Sequence, residues 1–147
     1  MDATSLAQSC ADVLWSGDTA SKSMGMRIDG ISPGGATLSM IVAEDMLNGH
    51  GLCHGGFIFS LADSAFAFAC NSENQSAVAA GARIDYLAPG KLGDCLTATA
   101  HQVSQGRRTG VYDVEVTNQD GKRIAIFRGN AHRIGARLVE VAGEVVQ

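Results

Sequence analysis

The hydrophobic pattern of the chain centres on residues 56–70, where apolar and small side chains are interrupted by only one group that ionises near neutral pH, Asp63. A helix that is apolar nearly all round is normally buried on most sides. A lone carboxylate in such a helix is costly unless it is paired, hydrogen-bonded or facing a cleft. The pattern therefore predicts a long buried helix that begins near Gly55 or Gly56, and it makes Asp63 the first candidate functional residue.

A shorter amphipathic pattern covers residues 4–16, where apolar side chains recur at helical spacing. Thr4 or Ser5 can cap the start of this segment, and Gly17 followed by Asp18 ends it. These features predict a short N-terminal helix that serves packing rather than chemistry.

Six further segments have the pattern of β-strands bounded by turn residues, such as the hairpin signal Asp120-Gly121. Strands joined by short turns form a mostly antiparallel sheet, and one long helix needs a face to pack on. The prediction is an α+β fold in which a curved antiparallel sheet wraps around the central helix, within a single domain of residues 1–147. The predicted strands cover residues 24–31, 36–44, 77–87, 94–103, 110–118 and 123–134.

Composition narrows the possible partners. The formal net charge is −4 and no run of Lys and Arg is present, so a nucleic-acid partner is not expected. The polar N-terminus does not resemble a signal peptide, and the longest apolar stretch is too short to cross a bilayer. We expect a soluble cytoplasmic protein with no membrane partner.

The cysteine and histidine residues do not form a metal-binding pattern. The cysteines lack C-x-x-C spacing, and in a chain without a secretory signal they are expected to be reduced. His50, Cys53 and His54 are close in sequence, but no further Cys/His cluster completes a zinc site. Cys53 beside His54 is more consistent with a structural role than with a catalytic pair. The sequence therefore predicts no metal and no cofactor.

The first turn of the central helix could bind a ligand through its backbone N–H groups. The first backbone N–H groups of a helix lack intrahelical partners and lie at the positive end of its dipole. The Gly55 N–H could therefore stabilise an oxyanion on a bound carbonyl, although the glycines could equally serve only to make a tight turn.

The spacing between Gly55 and Asp63 constrains how the two could act together. Asp63 lies eight residues beyond Gly55, which corresponds to about 12 Å along a helix at 1.5 Å per residue. One carbonyl carbon cannot contact both residues of the same chain. If both serve one reaction they come from two chains, and a symmetric dimer with antiparallel central helices would supply two equivalent sites.

Residues 47–72, LNGHGLCHGGFIFSLADSAFAFACNS, resemble the signature of the hotdog-fold acyl-CoA thioesterases, and most closely that of the PaaI-type enzymes of phenylacetic acid degradation. Three later stretches fit the same group: IDYLAPG at 84–90, RTGVYD at 108–113 and FRGNAHRI at 127–134. The resemblance covers nearly the whole chain beyond the first helix. It implies a hotdog fold and hydrolysis of acyl-CoA by a homodimer as the minimal active unit, within a homotetramer.

The resemblance also implies roles for individual residues. Asp63 matches the acidic catalytic residue, acting as general base or nucleophile, and Gly55 matches the helix-start glycine whose N–H polarises the thioester carbonyl. Asn48 matches a loop amide that holds the thioester or the attacking water. His54 matches the histidine just before that glycine, and Ser64 stands where relatives often carry Thr and could orient water or cap locally.

Substrate contacts are less closely specified. Gly56 allows close approach of a ligand to the backbone, and Phe57, with Phe66 and Phe68, could line an acyl pocket or serve as core. The resemblance favours phenylacetyl-CoA and its ring-hydroxylated forms. The candidates for holding the CoA phosphates are Lys91, Arg107, Arg108 and Arg128, of which Arg107 and Arg108 are preferred.

Three other function classes remain as alternatives to a thioesterase. A hotdog-fold acyl-CoA hydratase or dehydratase would need a histidine and an acid placed for proton transfer at C2 and C3. A non-catalytic acyl-CoA-binding protein of the same fold would typically carry an appended DNA-binding segment. A Ser-His-Asp hydrolase would need a G-x-S-x-G elbow, which the sequence lacks.

Overall fold

The apolar segment at the centre of the chain forms one long helix, and the strands on either side of it form one sheet. A computed structural model describes residues 1–141, so the last part of the predicted domain, residues 142–147, lies outside the described residues. The helices are α1 (Ala3–Gly17), α2 (Thr19–Ser23) and α3 (Gly55–Cys70), and a 3₁₀ turn covers Glu44–Met46. The strands are β1 (Arg27–Ser32), β2 (Gly35–Ile41), β3 (Ala77–Tyr86), β4 (Cys95–Gln105), β5 (Thr109–Thr117) and β6 (Arg123–Arg133).

The six strands form an antiparallel sheet in the order β1-β2-β4-β5-β6-β3, and α3 packs on one face of it against β2, β4 and β5. Strand β5 shows why the sheet has an inner and an outer face. Tyr112, Val114 and Val116 are buried beneath α3, whereas Asp113 and Glu115 alternate with them on the other face. The predicted α+β architecture, with an antiparallel sheet around a central helix, is confirmed.

The strands predicted after the central helix begin and end within two residues of the observed ones, but the N-terminal segment differs from prediction. The predicted strand 24–31 starts only at Arg27, because Asp18 both ends α1 and caps the additional helix α2 by accepting a hydrogen bond from the Ser21 N–H at 2.9 Å. The predicted caps Thr4 and Ser5 are also wrong, since the Asp2 carboxylate accepts from the Ser5 N–H at 2.8 Å.

Strand β3 is exposed along most of its length. It pairs with β6 on one side only, and its other edge has no partner strand among residues 1–141. Its residues are mainly small and apolar, with only Arg83 and Asp85 charged. A long, exposed edge strand of this composition offers a row of unpaired backbone groups to another chain. No helix among the described residues is long and apolar enough to cross a membrane.

The close packing of α3 on the sheet depends on a glycine in β6, Gly129. The ring of Phe66, 1% exposed, lies directly over Gly129, where a Cβ would come within 2.8 Å of three ring atoms. Tyr112 and Phe127 flank the same ring at centroid distances of 5.8 and 5.9 Å, so the ring has little room to move away.

We therefore expect Gly129→Ala to lower the free energy of unfolding by about 1–3 kcal/mol, because it overpacks a filled core. Urea denaturation at fixed protein concentration measures the change. Gly17→Ala is the matched control, since a Cβ there meets no atom within 4 Å. Equal stability of the Gly129→Ala variant and the wild type would contradict the packing argument.

Candidate active site

The first turn of α3 is held by His54, which is its N-cap residue. The Nδ1 atom of His54 accepts a hydrogen bond from the Gly56 N–H at 2.9 Å. Because a ring lone pair accepts this bond, the neutral imidazole carries its proton on Nε2. His54 is exposed, so this Nε2–H is a donor that faces solvent.

The Gly55 N–H is the open donor of this helix start. Its position in the first turn leaves it without an intrahelical acceptor, and no other acceptor for it is found among residues 1–141. The neighbouring Gly56 N–H is already occupied by His54. Of the two glycines predicted as site residues, only Gly55 therefore has a free N–H that can donate to a ligand. Gly56 contributes only the absence of a side chain, which lets a ligand approach the backbone.

Asn48 is fixed by the loop before α3. Its Oδ1 accepts hydrogen bonds from the His50 N–H at 2.9 Å and the Leu52 N–H at 3.2 Å. The Nδ2 group has no acceptor among the described residues. Asn48 can therefore offer a ligand only a donor, which fits the predicted role of holding a thioester or the oxygen of a water molecule.

A groove of about 530 Å³ brings Gly55 and Asn48 together. Its opposite wall is Tyr86, the last residue of β3, whose hydroxyl donates to the Gly55 carbonyl at 2.9 Å. Sequence reasoning missed Tyr86 as a site residue, although it lies in the IDYLAPG stretch, because 31 residues separate it from Gly55 and no local pattern joins them. Cys53 is buried in the floor of the groove, and burial raises the pKa of its thiol, which does not favour a nucleophilic role.

Asp63 lies away from this groove in its own chain. The helix is unbroken between Gly55 and Asp63, so the two stay separated by about 12 Å along its axis. Asp63 is half-buried, has no hydrogen-bond donor among residues 1–141, and desolvation raises the pKa of its carboxyl above the usual range for aspartate. The structure of one chain therefore does not bring Asp63 and Gly55 together.

Small residues share the face of α3 that carries Asp63, and the partly buried Phe59 lies beside this face with its ring packed on Phe127. Gly56, Ser60 and Ala67 fall on the same helix face as Asp63 and are not buried by the sheet. A face of this kind allows the backbone of another segment to come close.

Ser64 packs on the N-terminal region. Its hydroxyl lies 2.8 Å from the Ser21 hydroxyl, which in turn lies 2.7 Å from the Asp18 carboxylate. An ionised carboxylate can only accept, so Ser21 donates to Asp18 and accepts from Ser64. The Ser64 proton is thereby committed, and its oxygen can act towards a ligand or water only as an acceptor.

Arg107 and Arg108, in the turn between β4 and β5, line a basic pocket of about 530 Å³ together with His132 and Arg133. The Arg133 side chain is 17% exposed, its Nε is buried without a hydrogen-bond partner among the described residues, and its guanidinium lies 4.0 Å from Glu73. Gln75, which follows the C-terminal end of α3, and Gly135 also line the pocket. Sequence analysis did not identify His132 and Arg133, which reach the pocket from the far end of β6.

Three of the other predicted contacts, Arg128, Phe66 and Phe68, do not line either site. Arg128 makes a bidentate ion pair with Asp113 on the outer face of the sheet, at 2.6 and 2.9 Å. Phe66 and Phe68 are buried in the core, so the core interpretation of these two rings holds. Phe57 is partly buried beside His54, with ring centroids 6.5 Å apart. Within residues 1–141, no group of three or more His, Cys, Asp or Glu side chains is placed to hold a metal ion.

The half-buried carboxylate of Asp63 leads to a stability prediction. The folded state raises its pKa, so near neutral pH the ionised group disfavours folding, and this cost disappears as pH falls through the raised pKa. We expect Asp63→Asn to be more stable than wild type at about pH 7, with the difference shrinking towards about pH 4. Urea denaturation at both pH values measures the difference in the free energy of unfolding. Asp29→Asn, at an exposed aspartate, is the control. A less stable Asn variant at neutral pH would contradict the prediction.

Comparison with known proteins supports the resemblance seen in the sequence. Residues 50–125 match the Thioesterase superfamily. An Escherichia coli K12 protein named acyl-coenzyme A thioesterase PaaI is 50% identical over 128 residues, which cover 87% of this chain and 91% of the relative.

Solved structures show the same fold. The structure of the E. coli PaaI protein from the phenylacetic acid degradation operon superposes with a TM-score of 0.91 at 48% identity, covering 92% of this chain and 99% of that one. A Streptococcus mutans protein solved with bound acetyl-CoA gives a TM-score of 0.74 at 34% identity, covering 76% and 90%. The predicted hotdog fold and thioesterase class are confirmed, and the chain belongs to the Thioesterase superfamily.

Proposed function

We propose that this protein hydrolyses acyl-CoA thioesters to the free acid and CoA at sites shared between two subunits. Two of its relatives support the substrate class, since one is named an acyl-coenzyme A thioesterase and another was solved with acetyl-CoA. Each site would combine Gly55 and Asn48 of one subunit with Asp63 of the partner subunit.

The proposal is supported by two groups on one continuous helix. The Gly55 N–H at its start is unpaired, and the Asp63 carboxylate eight residues later is desolvated. The donor and the acid are those that thioester hydrolysis requires. They are about 12 Å apart in one chain, so a second chain has to supply one of them.

Two surfaces of the subunit support such a pairing. The face of α3 that carries Asp63 also carries the small residues Gly56, Ser60 and Ala67, which lets a second helix approach. Strand β3 has an unpaired edge and ends at Tyr86 in the wall of the groove. Two copies paired through β3 about a two-fold axis would place each groove beside the other subunit. The larger homotetramer remains a prediction from the sequence.

In the proposed mechanism the thioester carbonyl oxygen accepts hydrogen bonds from the Gly55 N–H and from Asn48 Nδ2. These donors stabilise the oxyanion that forms when the carbonyl carbon is attacked. Asp63 of the partner subunit either removes a proton from the attacking water or attacks directly to form an anhydride that water then cleaves. In both routes the C–S bond breaks and CoA leaves as its thiol after taking up a proton.

Ser64 has a limited role in this scheme. Its proton is committed to Ser21, so it cannot donate to an oxyanion or to the Asp63 carboxylate. Its oxygen can accept one proton of the attacking water while Asp63 accepts the other. We propose this acceptor role for Ser64 in place of a local cap.

The geometry disfavours the two alternative functions on this fold. A hydratase or dehydratase would use a histidine for proton transfer, but the Nδ1 lone pair of His54 is occupied in capping α3 and Nε2 carries the proton. A protein that only binds acyl-CoA has no need for a carboxylate that desolvation makes a stronger base.

The basic pocket is proposed as the site for the CoA phosphates. It lies beside the C-terminal end of α3, and Cys70 at that end is seven residues, or about 10 Å along the axis, from Asp63. The subunit that contributes the acid would therefore also offer Arg107 and Arg108 to the phosphates. Arginine suits this task because its planar guanidinium binds phosphate oxygens in pairs.

The acyl group is proposed to be phenylacetyl or a ring-hydroxylated phenylacetyl. This proposal rests on the PaaI relatives, one of which comes from a phenylacetic acid degradation operon, and Phe57 near the helix start is a candidate for contacting the ring. A cytoplasmic location stays a prediction.

The shared site can be tested with two inactive variants. Asp63→Asn should remove the base, and Gly55→Ala should displace the helix start because its Cβ would lie 2.9 Å from the Tyr86 ring. Each variant alone should lose at least about 100-fold in kcat. Mixed dimers of the two, isolated with two affinity tags, should regain about half the wild-type rate, since one site in each dimer contains both intact residues. Release of free CoA from phenylacetyl-CoA measures the rate.

A mixed dimer of wild type with the double variant Asp63→Asn/Gly55→Ala is the matched control. Shared sites make it inactive, because each of its two sites lacks one residue. Sites contained within single chains would give the opposite pattern, with the control half-active and the first mixture inactive. A near-normal kcat for Asp63→Asn would exclude the proposed mechanism itself.

The phosphate site makes a separate prediction. We expect Arg107→Gln/Arg108→Gln to raise KM for phenylacetyl-CoA about tenfold with kcat nearly unchanged, because the phosphates are remote from the reacting carbonyl. The same variant should hydrolyse phenylacetyl-pantetheine, which lacks the nucleotide, like the wild type. Arg123→Gln, which breaks an outer-face ion pair with Glu115, is the control. Equal effects on both substrates, or none on either, would contradict the assignment.

A further inference from the structure

One peptide group at the start of α3 is held at both ends by side chains. The Tyr86 hydroxyl donates to the Gly55 carbonyl oxygen at 2.9 Å, and the Gly56 N–H donates to His54 Nδ1, also at 2.9 Å. This carbonyl and this N–H belong to the same Gly55–Gly56 peptide. The preceding peptide carries the Gly55 N–H, and the two peptides share the Gly55 Cα.

Without restraint this segment would be unusually free to rotate, because two consecutive glycines lack the Cβ atoms that limit backbone angles. The Tyr86 ring also packs directly on Gly55, where a Cβ would come within 2.9 Å of the ring. The glycine is therefore needed for the ring to approach, and the ring and the two hydrogen bonds then hold the glycine in place.

We propose that Tyr86 is a positioning residue for thioester hydrolysis: together with His54 it clamps the Gly55–Gly56 peptide and so directs the Gly55 N–H at the substrate carbonyl. The inference rests on the proposed function, because it assigns the Gly55 N–H to the oxyanion. Tyr86 acts through Gly55 and makes no direct contact with the reacting atoms.

The phenol is suited to this task. Partial burial raises the pKa of Tyr86, so its hydroxyl keeps the proton that it donates throughout the neutral range. Preorganised donors contribute to catalysis because they need no reorientation as charge develops on the carbonyl oxygen. A loosely held Gly55 N–H would lose part of that contribution in the transition state while binding of the CoA moiety stayed the same.

The test uses Tyr86→Phe, which removes the hydroxyl and keeps the ring against Gly55. We expect kcat for phenylacetyl-CoA to fall about three- to tenfold, the size associated with one neutral hydrogen bond, with KM within about twofold of wild type. Tyr112→Phe is the matched control. It also removes hydroxyl hydrogen bonds, to Gln102 and Gln105 in the core, and it should leave kcat unchanged.

A spectroscopic measurement separates positioning from a general loss of structure. In an Asp63→Asn background, phenylacetyl-CoA labelled with ¹³C at the carbonyl should bind intact, and hydrogen bonding from Gly55 should shift its carbonyl stretch to lower frequency. Adding Tyr86→Phe should reduce that shift, whereas adding Tyr112→Phe should not. A wild-type kcat for Tyr86→Phe, or an unchanged carbonyl band, would overturn the proposal. Turnover by Asp63→Asn alone would instead overturn the proposed function, so the two failures are distinguishable.

Discussion

The structure depends on the burial of α3 against one face of the sheet. Leu61, Ala65 and Phe66 are almost completely inaccessible to solvent, and the helix must be apolar on those faces to be stable there. The consequence is that any polar group left on the helix lies in an environment that penalises charge. Asp63 is such a group, and no described residue donates a hydrogen bond to compensate it. The property that makes Asp63 unfavourable for folding also makes it a stronger base than an exposed aspartate.

Burial also determines which backbone groups remain available. The carbonyls and N–H groups inside α3 bond to one another, so only its first turn has donors to offer. His54 takes one of these donors with its side chain and leaves the Gly55 N–H open. The capping histidine is thus a structural element that occupies the Gly56 N–H and leaves Gly55 as the helix donor at the groove. The same bond fixes the tautomer of the ring, which excludes the lone pair on Nδ1 from acting as a base.

The sequence was sufficient for the features that repeat along the chain and insufficient for those that join distant segments. Apolar periodicity and turn residues predict α3 and the four later strands closely, because these signals are local. Asp18 was recognised as a helix stop but not as the cap of α2, since the same residue type serves both ends. The contact of Tyr86 with Gly55 arises only when β3 lies against the start of α3. The position of Arg133 beside Arg108 arises only when β5 pairs with β6.

The sequence also does not determine the direction of hydrogen bonds. The family resemblance left open whether Ser64 orients water or caps the helix locally. Only the contact with Ser21, and through it with Asp18, shows that the Ser64 proton is already used. Sequence reasoning can name a polar group near a site, but the hydrogen bonds of the folded chain decide whether that group donates or accepts.

The separation of the Gly55 N–H from the Asp63 carboxylate along α3 has an electrostatic explanation. The N-terminus of a helix polarises a carbonyl because its dipole is positive there, and the same dipole would stabilise a carboxylate in the first turn and lower its pKa. An acid beside Gly55 in its own chain would therefore be a weaker base. Asp63, two turns further along, lies where the dipole contributes little and desolvation dominates its pKa. A second subunit can then bring a strong donor and a strong base to one thioester, which a single helix end cannot provide by itself.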